Sequence, residues 1–102
     1  MKPNLMHMVN SILKIAEEYF HVKLDVQEVA TFLDDILWKN HSLWQAQKEE
    51  IITLDELACA IADHAYDYLI HKKQMTVSHS DSDMQNMILQ IRNAISKTLE
   101  SS

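Results

Sequence analysis

The sequence predicts an all-α protein, a single compact bundle of about five helices. Apolar residues recur at helical spacing in five segments, glycine is absent, and the one proline is Pro3. Tight β-hairpin turns prefer glycine, so a chain without it favours helices joined by polar linkers. We expect residues 1–102 to form one helical domain, with residues 98–102 as a frayed tail.

The first helix is expected from about Asn4 to Phe20, directly after Pro3, because proline is tolerated in a first helical turn. Its apolar residues return every three or four positions, which predicts one buried face. The members of this face are Leu5, Met8, Val9, Ile12, Ala16, Tyr19 and Phe20.

The second helix is expected to begin at Asp25, which with Glu28 three residues later forms a capping box. Asn40 is expected to be a left-handed stop, and a short third helix should follow Ser42 and end near Glu50. Trp44 in that third helix is predicted to be a core residue. The predicted core face of the second helix comprises Val29, Phe32, Leu33, Ile36 and Leu37.

The fourth helix shows the same type of start, with Thr53 as the N-cap and Glu56 as its capping-box partner. It should end in the basic segment 71–73, since cations favour a helix C-terminus. Its core face is predicted to contain Leu54, Leu57, Ala58, Ile61, Ala65, Tyr68 and Leu69.

A polar linker over residues 74–83 should precede the fifth helix. The segment His79–Asp83 lacks the glycine and terminal glutamate of a calcium loop, and Ser and Asp residues there are typical of a helix start. The apolar residues expected to face the core are Met84, Met87, Ile88, Ile91, Ile95 and Leu99.

Residues 55–71 collect several candidate metal ligands on one helix. His64, Asp67 and His71 share a strip, but two residues seven apart are separated by roughly 10 Å along the axis, too far for one zinc ion. We therefore favour a solvated face in which Asp67 partners a histidine over a metal site. No nucleophile with a placed base can be named, so we expect a non-enzymatic protein without metal or cofactor.

The single cysteine, Cys59, cannot form an internal disulfide and lies off the core face of its helix. The N-terminal segment mixes polar residues among apolar ones, unlike a signal peptide, and no segment approaches the length of a membrane span. These observations predict a reduced, cytoplasmic protein that does not enter a membrane.

Negative charge is concentrated in the middle of the chain. Residues 25–67 contain ten acids and two lysines, a formal charge of −8, whereas the flanks carry seven bases and five acids. Such a surface speeds association with a cationic protein and disfavours nucleic acid. The alternative is that the acidity serves only solubility.

Trp38 falls on the polar outer face of the second helix, among carboxylates. An aromatic side chain in this setting has the composition of an interface anchor. The alternative is that the third helix folds back and covers the indole. Both interpretations stay open at this point.

The segment Ile12–Leu37 resembles the opening of a phosphotransferase-system regulation domain, the helical module of sugar-responsive antiterminators. The family's Leu-x-x-His-Ile core aligns with Phe32, Asp35 and Ile36, and a fainter second copy aligns with Met87, Gln90 and Ile91. The resemblance places Asp35 and Gln90 where the family has phosphorylatable histidines. It therefore implies a degenerate regulatory module that acts by dimerisation, without the phosphorylation switch.

By type, a small, acidic, helical chain without catalytic groups is similar to bacterial immunity proteins, which protect against basic nuclease toxins. We expect an immunity protein or antitoxin, a monomer or dimer, that occludes the active site of a cationic toxin domain. The outer faces of the second and fourth helices would supply the partner-binding residues. These residues are Glu28, Asp34, Asp35, Trp38, Glu56, Asp63 and Asp67.

Overall fold

Five α-helices form the computed structural model, which describes residues 3–74 and 78–100. No strand occurs in that part of the chain, so the predicted all-α class is confirmed. Residues 75–77 of the expected linker and residues 101–102 of the expected tail lie outside the described residues. The helices are α1 (Met6–Phe20), α2 (Val26–Asp34), α3 (Leu43–Lys48), α4 (Leu54–Asp67) and α5 (Asp81–Glu100).

One hydrophobic core joins all five helices. α5 packs against both α1 and α4, α2 packs against α1, and α3 contacts α4 and the segment that follows α2. The predicted apolar faces supply most of this core, and Ile15, Ala62 and Ala94 join it as well. The radius of gyration, 12.9 Å, is that of a single domain of this length.

α2 and α4 each continue into a five-residue π-helical segment, which we call π1 (Asp35–Lys39) and π2 (Tyr68–Lys72). The Asn40 N–H donates to the Asp35 carbonyl at 2.8 Å, and the Lys73 N–H donates to the Tyr68 carbonyl at 3.3 Å. Each bond spans five residues, the pattern of a π turn. π2 ends within the basic segment 71–73, where the end of the fourth helix was predicted.

The predicted left-handed stop at Asn40 is wrong. Asn40 is right-handed, with φ −99°, because the π turn already satisfies the Asp35 carbonyl. The chain reverses two residues later at Ser42, which has φ 51°. His21, Glu50 and Gln74 also have positive φ, so this glycine-free chain uses other residues at helix ends despite a steric cost of about 1–2 kcal/mol each.

The two predicted capping boxes have different outcomes. At α4 the box is confirmed: Glu56 N–H donates to the Thr53 hydroxyl at 3.1 Å, and Thr53 N–H donates to the Glu56 carboxylate at 2.9 Å. At α2 Asp25 is the N-cap, as predicted, but its carboxylate accepts from Gln27 N–H at 3.0 Å and not from Glu28 N–H, so the reciprocal box is incomplete. The Glu28 carboxylate bonds the Asp25 backbone only weakly, and its main partners are Lys73 and Tyr68.

α5 is longer at both ends than the sequence predicted, because it includes part of the expected linker and part of the expected frayed tail. Asp83 N–H donates to the Ser80 hydroxyl at 3.1 Å, which confirms the helix-start interpretation of His79–Asp83. At the other end α5 continues to Glu100, beyond the predicted start of fraying at residue 98. Thr98 is only 2 % exposed, and its hydroxyl donates to the Ala94 carbonyl at 2.9 Å. Packing against the core holds this last turn.

Candidate partner-binding surface

The outer face of α4 carries a line of exposed carboxylates, which we call the acidic stripe: Glu56, Asp63 and Asp67. The stripe spans about 16 Å at the rise of an α-helix, and the small side chain of Ala60 lies within it. α4 contains no lysine or arginine, and its opposite face is buried in the core. Helical periodicity therefore located this face correctly.

Two carboxylates of the acidic stripe have local partners that leave them exposed. Glu56 accepts the Thr53 N–H of the capping box. Asp67 lies 3.1 Å from His71 Nε2, and both side chains are 72 % exposed. The predicted pairing of Asp67 with a histidine is confirmed, and an ion pair at this exposure contributes little to stability.

Asp63 and Asp67 also line an open depression of about 390 Å³ together with Ala60 and His64. The His64 imidazole lies against His41, with ring centroids 4.4 Å apart. Sequence reasoning missed this histidine pair because the two residues are far apart along the chain and share no helix. Within residues 3–74 and 78–100, no three His, Cys, Asp or Glu side chains are grouped to hold a metal ion.

The carboxylates of α2 and π1 are bound by groups of the same chain. Lys73 Nζ lies 2.6 Å from the Glu28 carboxylate, which also accepts the Tyr68 hydroxyl. Lys39 Nζ lies 3.3 Å from Asp34, and the Asn40 amide donates to Asp35. Hence the two predicted acidic faces differ in how much charge they offer a partner.

The Glu28 contacts change two pKa values in opposite directions. The hydrogen bonds from Lys73 and then Tyr68 lower the pKa of Glu28 below its ordinary value, because both favour the carboxylate. The same carboxylate raises the pKa of Tyr68 to about 12, since an ionised phenol would lose the bond and face a negative charge. Glu28 is therefore a charged anchor between α2 and π2.

A groove of about 490 Å³ runs between α2 and π2 beside this anchor. The rings of Phe32 and Tyr68 line it, with centroids 5.4 Å apart, and Asp35 and Lys72 lie at its edges. The sequence assigned both aromatic residues to core faces, whereas each is only partly buried. Phe32 lies at the edge of its predicted apolar face, which was the available signal, whereas Tyr68 lies within its predicted face.

Trp38 is partly buried, and its ring lies against Trp44, with centroids 6.2 Å apart. Trp44 belongs to the core, as predicted, and is 6 % exposed. The Ser42 hydroxyl also donates to the Trp38 carbonyl at 3.4 Å, where the chain turns into α3. Of the two open interpretations, the structure therefore agrees with α3 folding back on the indole.

The two positions aligned with phosphorylatable histidines do not share a surface. Asp35 lines the groove between α2 and π2, whereas Gln90 lines a different groove between α1 and α5. Cys59 is exposed, in agreement with its predicted position off the core face. Arg92 of α5 donates to the carboxylate of Asp55 at the start of α4. This last pair ties the beginning of α4 to the bundle.

Among the described helices, none combines the length and apolar character needed to cross a membrane. Comparison of the chain with known protein families, with curated proteins and with solved structures finds no match.

Proposed function

We propose that this protein is a non-enzymatic binding protein that docks a cationic protein on the outer face of α4. Its most concrete form is an immunity protein that neutralises a basic, nuclease-type bacterial toxin by occluding the active site. The single observation that carries the proposal is the acidic stripe, three exposed carboxylates on a helix without lysine or arginine.

Electrostatics gives this surface a use. A face of one sign attracts an oppositely charged partner during diffusion and raises the association rate by about 10-fold to 1,000-fold. A nuclease is basic where it holds nucleic acid, so carboxylates on a rigid helix complement that cleft. The capped start of α4 and its buried inner face hold the stripe in one geometry.

The carboxylates of α2 and π1 are assigned a secondary role. Glu28 and Asp34 are paired with Lys73 and Lys39, so their fields are partly neutralised before a partner arrives. Trp38 packs against Trp44, so we assign it a structural role in π1 and not the role of an anchor for the partner. The contributions of the α4 acids and of the α2 and π1 acids to partner binding can therefore be measured separately with variants.

The test is a neutralisation assay against basic, nuclease-type toxin domains, starting with any such domain that an open reading frame next to this gene encodes. The variant Asp63→Lys/Asp67→Lys should lose neutralisation, with an association rate at least about tenfold lower at low salt. Asp34→Lys/Asp35→Lys should lose less. The matched control Glu17→Lys/Glu49→Lys changes the net charge equally on other exposed surfaces and should neutralise normally.

Full neutralisation by a variant in which Asp34, Asp35, Asp63 and Asp67 are all lysine would refute the acidic-face proposal. Equal losses in the α4 variant and the matched control would show that net charge, and not the acidic stripe, drives the association. Circular dichroism of each variant establishes that the helices are retained.

A further inference from the structure

Three histidines lie beside the carboxylates in the C-terminal half of the acidic stripe. His64 lines the same open depression as Asp63 and Asp67. The His41 ring lies against the His64 ring, with centroids 4.4 Å apart, and His71 Nε2 lies 3.1 Å from Asp67. We call these three imidazoles and two carboxylates the histidine patch. Half of the six histidines of the chain are therefore gathered around the surface proposed to dock a partner.

The formal charge of the histidine patch depends on pH. Imidazole is the side chain that ordinarily changes its charge between about pH 5 and 8, whereas a carboxylate ordinarily does so near about pH 4. With neutral imidazoles, the two carboxylates give the patch a charge of −2. Uptake of three protons changes this charge to +1, so the patch becomes positive well before its carboxylates are neutralised.

The three imidazoles can take up protons without giving up other bonds. His41 and His71 are exposed, and His64 is half-buried. Among residues 3–74 and 78–100, His41 and His64 form no hydrogen bond or ion pair, and Asp67 is the one polar partner of His71. A proton on His71 strengthens its contact with Asp67 and cancels the charge of that carboxylate. Protons on both His41 and His64 place two like charges side by side, which weakens their ring contact.

Charged groups on the neighbouring elements keep their charge over the same pH range. The elements that adjoin α4 and His41 include the cations Lys39 in π1, Lys48 in α3, Lys72 in π2 and Arg92 in α5. Lys39 pairs with Asp34, and Arg92 pairs with Asp55. In the described part of the chain, none of these groups bonds to a histidine of the patch. Lysine, arginine and carboxylate side chains ordinarily do not titrate between about pH 5.5 and 7.5, so the imidazoles alone change the charge of the patch.

We propose that the histidine patch makes docking on the acidic stripe sensitive to acid, so that a cationic protein bound near neutral pH is released below about pH 6. A negative surface attracts this partner and a positive one repels it. Association therefore slows and dissociation accelerates as the imidazoles become charged. The inference rests on the proposed function, because it names the regulation of the same surface.

The test uses a decalysine peptide as the cationic probe, because its lysines keep their charge between about pH 5.5 and 7.5. The full ¹⁵N-labelled chain is titrated with this peptide at constant low ionic strength and followed by NMR. At pH 7.5 the largest amide shifts should fall within residues 56–71. At pH 5.5 the affinity should be at least about tenfold lower, because three weak charge interactions change sign or are cancelled.

Histidine variants separate the patch from the net charge of the chain. His41→Gln/His64→Gln/His71→Gln should bind decalysine about equally at both pH values, since no imidazole of the patch remains. The control His7→Gln/His21→Gln removes two exposed imidazoles of α1 and its C-cap, and it should keep the loss of affinity at pH 5.5. Because His64 is half-buried, the single variant His71→Gln provides a second measurement and should recover about twofold of the lost affinity.

The outcomes distinguish this inference from the proposed function. Decalysine that shows no preference for residues 56–71 at pH 7.5 would overturn the acidic stripe as a docking surface, and its regulation with it. Binding on the stripe with equal affinity at both pH values would overturn the acid sensitivity alone. An equal response to pH in the triple variant and in the control His7→Gln/His21→Gln would do the same, because it would assign the effect to net charge.

Discussion

α2 and α4 have the same design and differ in what happens to their carboxylates. Each begins at an acid- or threonine-capped N-terminus, buries one apolar face and continues into a five-residue π segment. Glu28 and Asp34 are bound by lysines of the chain, whereas Asp63 and Asp67 of α4 remain exposed and form no ion pair with a lysine among residues 3–74 and 78–100. The formal charge of a sequence segment therefore does not give the charge that its surface presents to a partner, because some of its acids are paired within the chain.

The π segment of α4 contributes to this difference. A π turn contains more residues than an α turn, and one extra residue rotates the following side chains by about 100° around the axis. Lys73 directly follows π2, and its Nζ lies 2.6 Å from the carboxylate of Glu28 in α2. Lys73 therefore neutralises a carboxylate of α2.

The largest expected effect tests the similarity of the two helices. Leu33 of α2 and Leu57 of α4 are both 0 % exposed, so each substitution to alanine should cost about 3 kcal/mol of unfolding free energy in urea. Leu89→Ala, at a side chain that is 54 % exposed, is the control and should cost little. A loss of less than about 1 kcal/mol at either buried site would mean that one helix is not fully part of the core.

The next largest effect tests the difference between the ion-paired carboxylate of α2 and the exposed carboxylates of α4. Glu28→Gln should lower the unfolding free energy by about 1 kcal/mol, because it removes the charge paired with Lys73 and weakens the bond from Tyr68. Asp63→Asn on the acidic stripe should leave stability unchanged within error. A double-mutant cycle with Lys73→Gln isolates the pair. Equal effects at the two carboxylates would show that the partners of Glu28 add nothing to stability.

Capping gives an effect of similar or smaller size. Thr53→Ala removes one half of a reciprocal box and should cost about 1 kcal/mol, while Asp25→Ala removes a single bond and should cost less. Thermal unfolding followed by circular dichroism measures both. Thr53→Ser keeps the hydroxyl and serves as the control. A larger loss at Asp25 would indicate that its carboxylate does more than cap α2.

The smallest effect is a dependence of stability on pH at both extremes. The pKa of Glu28 is lowered on folding, so its stabilisation is present above its ordinary value near 4.5 and is lost as pH falls through the folded value. The pKa of Tyr68 is raised from 10 to about 12, so its stabilisation is complete below pH 10 and is lost as pH rises towards 12.

Urea denaturation at a series of pH values measures these two slopes. Tyr68→Phe keeps the ring contact with Phe32, removes the hydroxyl and should flatten the alkaline slope. Tyrosinate absorbance should show the late titration of Tyr68 in the wild type, and this late phase should be lost in the variant. An alkaline slope unchanged in Tyr68→Phe would assign it to another group.

The number and order of the helices, their buried faces and the position of the acidic stripe could all be predicted from the sequence. The reason is that helical periodicity and the Thr53 cap act over three to eleven residues, so neighbouring letters suffice. The same argument explains the failures at Asn40 and Glu28. Each residue was predicted to act on its own helix end. At Asn40 a π turn ends the helix instead, and the Glu28 carboxylate bonds mainly to residues distant along the chain.

Only the tertiary structure decided which carboxylates are neutralised and where polar faces meet. The contact of Glu28 with Tyr68 joins residues 40 positions apart, and the α1–α5 groove combines the two ends of the chain. No periodicity encodes such distances, because they arise from the packing of several helices on one core. The sequence thus determined how each helix presents its faces, and packing determined which of those faces remain available to a partner.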